Sequence, residues 1–349
     1  MTTVKAYAAE QADKPMAPFN LDRREPGASD VEIEILYCGV CHSDIHTARN
    51  EWGGTMYPVV PGHEIVGKVS RVGASVTHHK VGDTVGVGCF VDSCGHCGNC
   101  KDDLEQYCEN GHSQTYNSFL QDKKTIAYGG YSTHIVVTEK FVLKISDKLP
   151  LEAVAPLLCA GITTYSPLKH WNVKKGDKVA VVGLGGLGHM AVKIAASMGA
   201  DVTVLSRSPG KAKDASELGA HHFELTTGKE NMKKMAGSFN LIIDTVSAKH
   251  DYNEYLALLK TNGVMVLLGV PPEPETVHAA SLIFGRRSLV GSLVGGIKET
   301  QEMLDYCAEH NIVSDVEVIN IDQINEAFER TIQGDVHYRF VIDMASLKN

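Results

Sequence analysis

The chain has 349 residues, with 33 Lys and Arg against 42 Asp and Glu, for a net charge of -9. That length suits two domains, and a hydrophobic content of 43% allows a sizeable buried interior. The acidic balance argues against a general affinity for nucleic acid or acidic membranes, since both need a positive footprint. Met1 to Glu10 lack the charged-then-apolar pattern of a signal peptide. No apolar run approaches the roughly 20 residues that span a bilayer, so a cytoplasmic protein is the expectation.

The N-terminal stretch reads as β-rich. Val31, Ile33, Ile35 and Tyr37 alternate with Glu32, Glu34 and Leu36, the pattern of a half-buried strand. Strand-like runs follow at 65–72 and 83–88, punctuated by glycines. From about Val173 the texture changes to compact apolar runs at 178–182, 201–205, 240–244 and 263–268, separated by helical stretches. Buried parallel strands with crossover helices have this pattern. The first of those helices carries Leu187, Met190, Ala191, Ile194, Ala195 and Met198 on one face. Helices at 297–309 and 322–333 then alternate with short strands at 315–319 and 338–342.

Nine cysteines are many for a chain from a reducing compartment. Cys94, Cys97, Cys100 and Cys108 fall in one short segment, and such spacing points to metal. Four sulfur ligands with no water position suit a structural, tetrahedral zinc. An iron–sulfur cluster is the rival, weakened by the long gap to Cys108 and the lack of a following proline. Cys41, His63, Glu64 and Cys159 are scattered, and spacing cannot bring them together. The residues themselves support only a possible catalytic metal there.

Gly183-Leu184-Gly185-Gly186-Leu187-Gly188 places G-x-G-x-x-G between a strand and a helix. Gly183 permits the tight turn, Gly185 lets the backbone approach a pyrophosphate, and Gly188 lets helix and strand pack closely. The helix N-terminus offers free N–H groups and a partial positive charge. The rival reading is a structural turn with no ligand. At the end of the second strand an NAD site usually has a carboxylate. This chain has Ser206, Arg207 and Ser208, then Lys211, which suit the 2′-phosphate of NADP. Ordinary solvated bases are the alternative for Arg207 and Lys211.

Several motifs in chain order carry a resemblance. Gly62-His63-Glu64-x2-Gly67, followed by Val72-Gly73 and Gly82-Asp83-x-Val85-Gly86, resembles the zinc signature of medium-chain alcohol dehydrogenases. Cys38-Gly39-Val40-Cys41-His42-Ser43-Asp44-Ile45-His46 is similar to the stretch that supplies that family's first zinc ligand. The cysteine lobe, Cys159-Ala160-Gly161-Ile162-Thr163-Thr164-Tyr165, the glycine motif and Tyr338-Arg339-Phe340-Val341-Ile342-Asp343 follow in the family's order. The match covers essentially the whole chain. Within the family it is most similar to cinnamyl alcohol dehydrogenases and bacterial NADP-dependent aldehyde reductases.

The resemblance implies an α/β protein: a GroES-like β-barrel catalytic domain at 1–157 and 296–349, with a zinc lobe at about 89–112, and a Rossmann doubly wound parallel sheet at 158–295. It implies two zinc ions, a catalytic one on Cys41, His63 and Cys159 and a structural one on the lobe. Glu64 is implied as alternate ligand or close neighbour, and Asp44 as the partner that orients His63. Ser43 and His46 fall at the family's proton relay, and His42 near the cofactor phosphates. Thr163, Thr245, Gly269, Ser292, Leu293 and Val294 fall where relatives line the cofactor. Trp52, Cys89, Val270 and Leu293 are expected in the substrate pocket. Trp52 replaces a smaller aliphatic residue, and 109–114 lacks the large aromatic of the plant members.

The expected activity is zinc-dependent hydride transfer from NADPH to aldehydes, giving primary alcohols. Ser43 and His46 would pass the proton toward solvent. A polyol or sugar dehydrogenase is the alternative, although Trp52, Val270 and Leu293 offer little to bury sugar hydroxyls against. A non-catalytic nucleotide-binding protein is the third, opposed by the intact set Cys41, His63, Glu64 and Cys159. The expected partners are a small-molecule aldehyde or alcohol and a second copy of the chain, with the run 288–293 pairing across a dimer axis.

Overall fold

The computed structural model describes residues 1–348. The chain divides into two compact units, Met1–Ile162 with Gly295–Asn349, and Thr163–Val294. The helix Ala160–His170 contains the first boundary, ahead of the change of texture at about Val173.

The first unit is built around the strand Asp30–Gly39, the longest in its seven-stranded sheet. Val31, Ile33 and Ile35 are fully buried while Glu32 and Glu34 reach toward solvent, as the alternation predicts. Ile65–Val72 and His134–Thr138 flank this strand, both antiparallel. Arg339–Asp343 returns from the C-terminus to pair antiparallel with the far end of the same strand, and Val316–Asn320 joins its outer edge in parallel. Closing the sheet with C-terminal residues puts Arg339 beside Gly39 and Val40, whose N–H donates to Phe340 O at 2.9 Å.

A hairpin of Thr2–Ala8 and Ala17–Arg23 was not anticipated from the sequence. Its last residue, Arg23, is buried and donates to the carbonyls of Tyr128 and Gly129 and to Ser132 Oγ. A guanidinium whose donors meet fixed acceptors survives burial, so a charged residue closes this hairpin onto the sheet.

The second unit carries a six-stranded parallel sheet in the order His222–Leu225, Asp201–Ser206, Lys178–Val182, Phe239–Asp244, Leu259–Leu267, Ser288–Gly291. The chain reverses direction of travel between Lys178–Val182 and Phe239–Asp244, the place where doubly wound sheets open a crevice. Val179, Ala180, Val181, Ile242 and Ile243 are fully buried, as strands covered on both faces must be. The helix Gly188–Ser197 buries Met190, Ala191, Ile194 and Ala195 on this sheet. Ser288–Gly291 ends the sheet, with no strand on its outer side among the described residues.

Candidate metal centres and dinucleotide turn

The lobe assembles locally. The sulfurs of Cys94, Cys97, Cys100 and Cys108 all lie within 4.8 Å of one another. Backbone N–H groups point at them: Cys97 N to Cys94 Sγ and Cys100 N to Cys97 Sγ at 3.4 Å, and Cys94 N to Cys108 Sγ at 3.5 Å. Such donors favour thiolates. The N–H groups of His96 and Cys97 draw the Cys94 thiol down to about 5, while burial pushes Cys100 up to about 11. Four converging sulfurs without an oxygen or nitrogen ligand fit a closed tetrahedral zinc, whose charge would ionise all four. The lobe is seated on the helix Ile297–His310. Glu105, buried, accepts the N–H of Ile297 at 3.2 Å and meets Lys140 Nζ at 3.2 Å.

The second cluster is assembled from remote segments. Cys41 caps the helix His42–Ala48, and its N–H donates to Asp44 Oδ2 at 2.8 Å. His63 and Glu64 immediately precede Ile65–Val72. Cys159 ends the turn Ala155–Leu158. One ligand atom from each of Cys41, His63, Glu64 and Cys159 lies within 4.8 Å of the others.

Asp44 organises this cluster. Its Oδ1 meets His63 Nδ1 at 3.2 Å and accepts Gly62 N–H at 3.0 Å, while Oδ2 also accepts the Tyr131 hydroxyl at 3.2 Å. Engaging Nδ1 leaves His63 Nε2 as the ring's free ligand atom. Burial draws the His63 pKa down, but the Asp44 carboxylate more than offsets this and holds it well above its usual value. The Cys159 thiol donates toward Cys41 and, with Arg339, holds Cys41 well below the ordinary thiol range; Cys159 is raised in turn.

Glu64 is held on one side only. The Arg339 guanidinium donates to its Oε1, while Oε2 is buried and has no hydrogen-bond partner among the described residues. Burial pushes the carboxyl up to about 7 against the pull of Arg339. A Cβ at position 39 would stand 1.9 Å from Glu64 Oε2, so glycine is required there. Two thiols, an imidazole and a neighbouring carboxylate with a spare oxygen fit a catalytic zinc with an open position.

Ser43 and His46 lie one turn apart on the helix His42–Ala48. Ser43 Oγ is 3.5 Å from Cys41 Sγ. His46 Nδ1 bonds Glu51 Oε2 at 2.5 Å, and its ring lies 4.8 Å from that of Trp52. Burial lowers the His42 pKa, and its ring is 6.2 Å from that of His46. Cys89 is half-buried, with its thiol 3.7 Å from Leu158 O. Trp52 is 58% exposed, so most of its ring is available to a ligand.

In the second unit the glycine turn sits at the mouth of the crevice. Gly183 has φ +86°, and its N–H donates to Leu205 O at 2.9 Å. A Cβ at Gly188 would lie 2.2 Å from Gly183 O, whereas one at Gly185 would meet nothing within 4 Å. Gly188 is thus a packing glycine, and the space above Gly185 is open. Thr245 donates from Oγ1 to Val182 O at 2.8 Å, and Gly269 N–H reaches Asp244 O at 3.4 Å. Ser206 is buried and accepts Ser208 N–H at 3.1 Å. Arg207 and Ser208 are exposed, and Lys211 lies 3.8 Å from Asp214. Thr163 is buried in the helix Ala160–His170, Ser292 N–H donates to Leu267 O at 3.3 Å, and Val270 is 70% exposed.

Three contributors escaped the sequence reading. Glu51 stands in no motif, and Arg339 lies in the C-terminal motif without a role assigned to it; only their contacts with His46 and Glu64 reveal what they do. Tyr116 lies just beyond the segment 109–114, and its buried ring is 5.7 Å from that of His63.

Comparison with known proteins agrees with this geometry. A profile described as "Alcohol dehydrogenase GroES-like domain" matches residues 27–147, and one described as "Zinc-binding dehydrogenase" matches 186–309. The chain is 57% identical to NADP-dependent alcohol dehydrogenase C 1 of Mycolicibacterium smegmatis, over 100% of both chains. It is 53% identical to aldehyde reductase YahK of Escherichia coli, over 99% of each. Its fold is similar to that of a cinnamyl alcohol dehydrogenase from Sorghum bicolor, with a TM-score of 0.96, 46% identity, and coverage of 99% and 98%.

Proposed function

The chain belongs to the zinc-binding, GroES-like alcohol dehydrogenase family, and on that premise we propose how its residues divide the work. It is a zinc-dependent oxidoreductase that uses NADPH to reduce aldehydes to alcohols, reversibly. The polyol alternative is not favoured, since the relatives are alcohol dehydrogenases and aldehyde reductases.

In this reading Cys41, His63 and Cys159 hold the catalytic zinc, with Glu64 beside it, and the lobe cysteines hold the structural zinc. Bound there, zinc would supply Lewis acidity toward a carbonyl oxygen and NADPH would supply the hydride. Asp44 keeps the His63 ring oriented. Ser43 Oγ and His46 Nε2 move the proton, because Glu51 already engages His46 Nδ1. Arg339 balances the Glu64 charge and leaves one of its oxygens unbonded. Ser206, Arg207, Ser208 and Lys211 take the 2′-phosphate, with the turn 183–188 on the pyrophosphate. His42, Thr163, Thr245, Gly269, Ser292, Leu293 and Val294 line the cofactor. Trp52 and Cys89 in the first unit, and Val270 and Leu293 in the second, serve in recognising aromatic and aliphatic aldehydes. The observation that carries this reading is the convergence of Cys41, His63, Glu64 and Cys159 within 4.8 Å.

The test is the initial rate of cofactor oxidation with an aromatic aldehyde, NADPH and NADH side by side. A fast NADPH rate with a weak NADH rate is expected. Equal rates would remove the phosphate site from the reading, and no rate with either would remove the substrate class.

The exposed edge of Ser288–Gly291, next to Ile283 and Phe284 at 70% and 88% exposure, supports a homodimer through that edge. Sedimentation as a monomer would overturn it. A cytoplasmic location is part of the same reading. No helix among the described residues is long and apolar enough to cross a membrane.

A further inference from the structure

The second unit contains a buried ion pair that the reaction above does not use. Asp244, at the end of Phe239–Asp244, is 1% exposed. Its Oδ2 lies 2.8 Å from His250 Nε2, and His250 Nδ1 lies 2.7 Å from Ala248 O. A neutral imidazole carries one N–H and one lone pair. Facing two acceptors, it would set a lone pair against an oxygen at one of them. The two contacts together call for the imidazolium, whose charge balances the buried carboxylate.

The pair ties together the segments that shape the dinucleotide crevice. Asp244 Oδ1 accepts Val246 N–H at 3.1 Å, and Asp244 O accepts Leu268 N–H at 2.9 Å. Val246, inside the turn that His250 closes, stands against the glycine motif: a Cβ at Gly183 would lie 2.9 Å from Val246 Cγ2. A Cβ at Gly269 would lie 2.3 Å from Val246 O. The wall of the crevice is therefore packed to glycine tolerance, and the turn 245–250 must hold its place for that wall to keep its shape.

We propose that His250 is a positioning residue for the dinucleotide site: held as an imidazolium between Asp244 and Ala248 O, it locks the turn 245–250 against Gly183 and Gly269. The inference rests on the reading of 183–188 as the NADP(H) site. Besides Asp244, the groups facing His250 are Glu275 and the phenols of Tyr252 and Tyr255, whose rings stand edge-on at 5.1 and 5.4 Å. The adjacent Lys249 is paired with Glu273 at 2.9 Å. Burial lowers the His250 pKa, but the Asp244 carboxylate and Ala248 carbonyl outweigh it, and the net shift is upward. The lock is thus intact at neutral pH and is lost as pH rises through that raised value.

The test is the dissociation constant of NADPH, read by its fluorescence on the zinc-loaded full-length enzyme from about pH 6.5 to 9.5. The parent is expected to bind more weakly at the alkaline end. His250→Gln should bind about tenfold more weakly at neutral pH and lose that dependence, with KM for NADPH moving more than kcat. Asp244→Asn can donate from its amide to a neutral His250 Nε2 while still accepting Val246 N–H, so its constant should be flat across the range. Asp244→Asn retaining the parent's pH profile overturns the proposal, even where His250→Gln folds poorly. His250→Gln with parental affinity also overturns it. A parent that binds neither NADPH nor NADH would instead sink the dinucleotide reading itself.

Discussion

The cysteine lobe and the Cys41–His63–Glu64–Cys159 cluster each gather four ligand residues within 4.8 Å, by opposite routes. In the lobe, neighbouring sulfurs accept backbone N–H groups from within the same loop. The loop is its own scaffold, and every ligand is sulfur. In the second cluster the ligands arrive on three separate segments, and the order comes from Asp44, Tyr131 and Arg339 around them. A closed local site suits a metal that holds a fold together. A site assembled from a helix cap, a strand start and a turn can keep a position open, because its shape belongs to the surrounding domain.

This contrast predicts that the two sites fail independently and differently. Cys41→Ser is expected to cut turnover by at least about a thousandfold, several kcal/mol of transition-state stabilisation. Zinc content should fall from two ions per chain to one, with NADPH binding retained by fluorescence. Loss of both ions in that variant would break the comparison. Cys100→Ser should do the reverse. Removing a ligand from the closed site is expected to cost on the order of 4 kcal/mol of stability, seen as a lower Tm. Turnover at low temperature should stay close to the parent's. A parental Tm with lost turnover would show that the lobe serves the reaction directly.

Asp44→Asn sharpens the comparison with a smaller effect. It keeps all ligands but weakens the charge behind His63, so the catalytic site should bind zinc about 10- to 100-fold less tightly. The lobe ion should be unaffected. Competition with a graded series of chelators would measure both, and equal weakening at the two sites would contradict their independence.

Much of this was legible in the sequence, for reasons that differ by residue. The strands at 65–72 and 178–182 match the sequence reading at both ends, because short apolar runs bounded by turn residues mark strands buried in a sheet. The lobe and the glycine turn were readable because their ligands and turns are neighbours in the chain. Cys41, His63, Glu64 and Cys159 could be grouped only through a family resemblance, since no rule of spacing joins a helix cap to a turn so far along. Glu51 and the Asp244–His250 pair carried no signal at all, and Arg339, though inside a quoted motif, carried none for its role beside Glu64. A charged residue in sequence looks solvated until its partner is known, and each partner here comes from folding.

The chain's own order of residues was therefore enough to separate a β-rich part from a parallel α/β part and to mark the metal loop and the dinucleotide turn, all of which depend on local spacing and on the pattern of burial. The catalytic cluster, the return of Arg339 to the first sheet beside Glu64, and the closure of Tyr116 on His63 were settled by folding. They depend on contacts between distant segments, whose geometry follows from how strands pair and pack rather than from any stretch of sequence read alone.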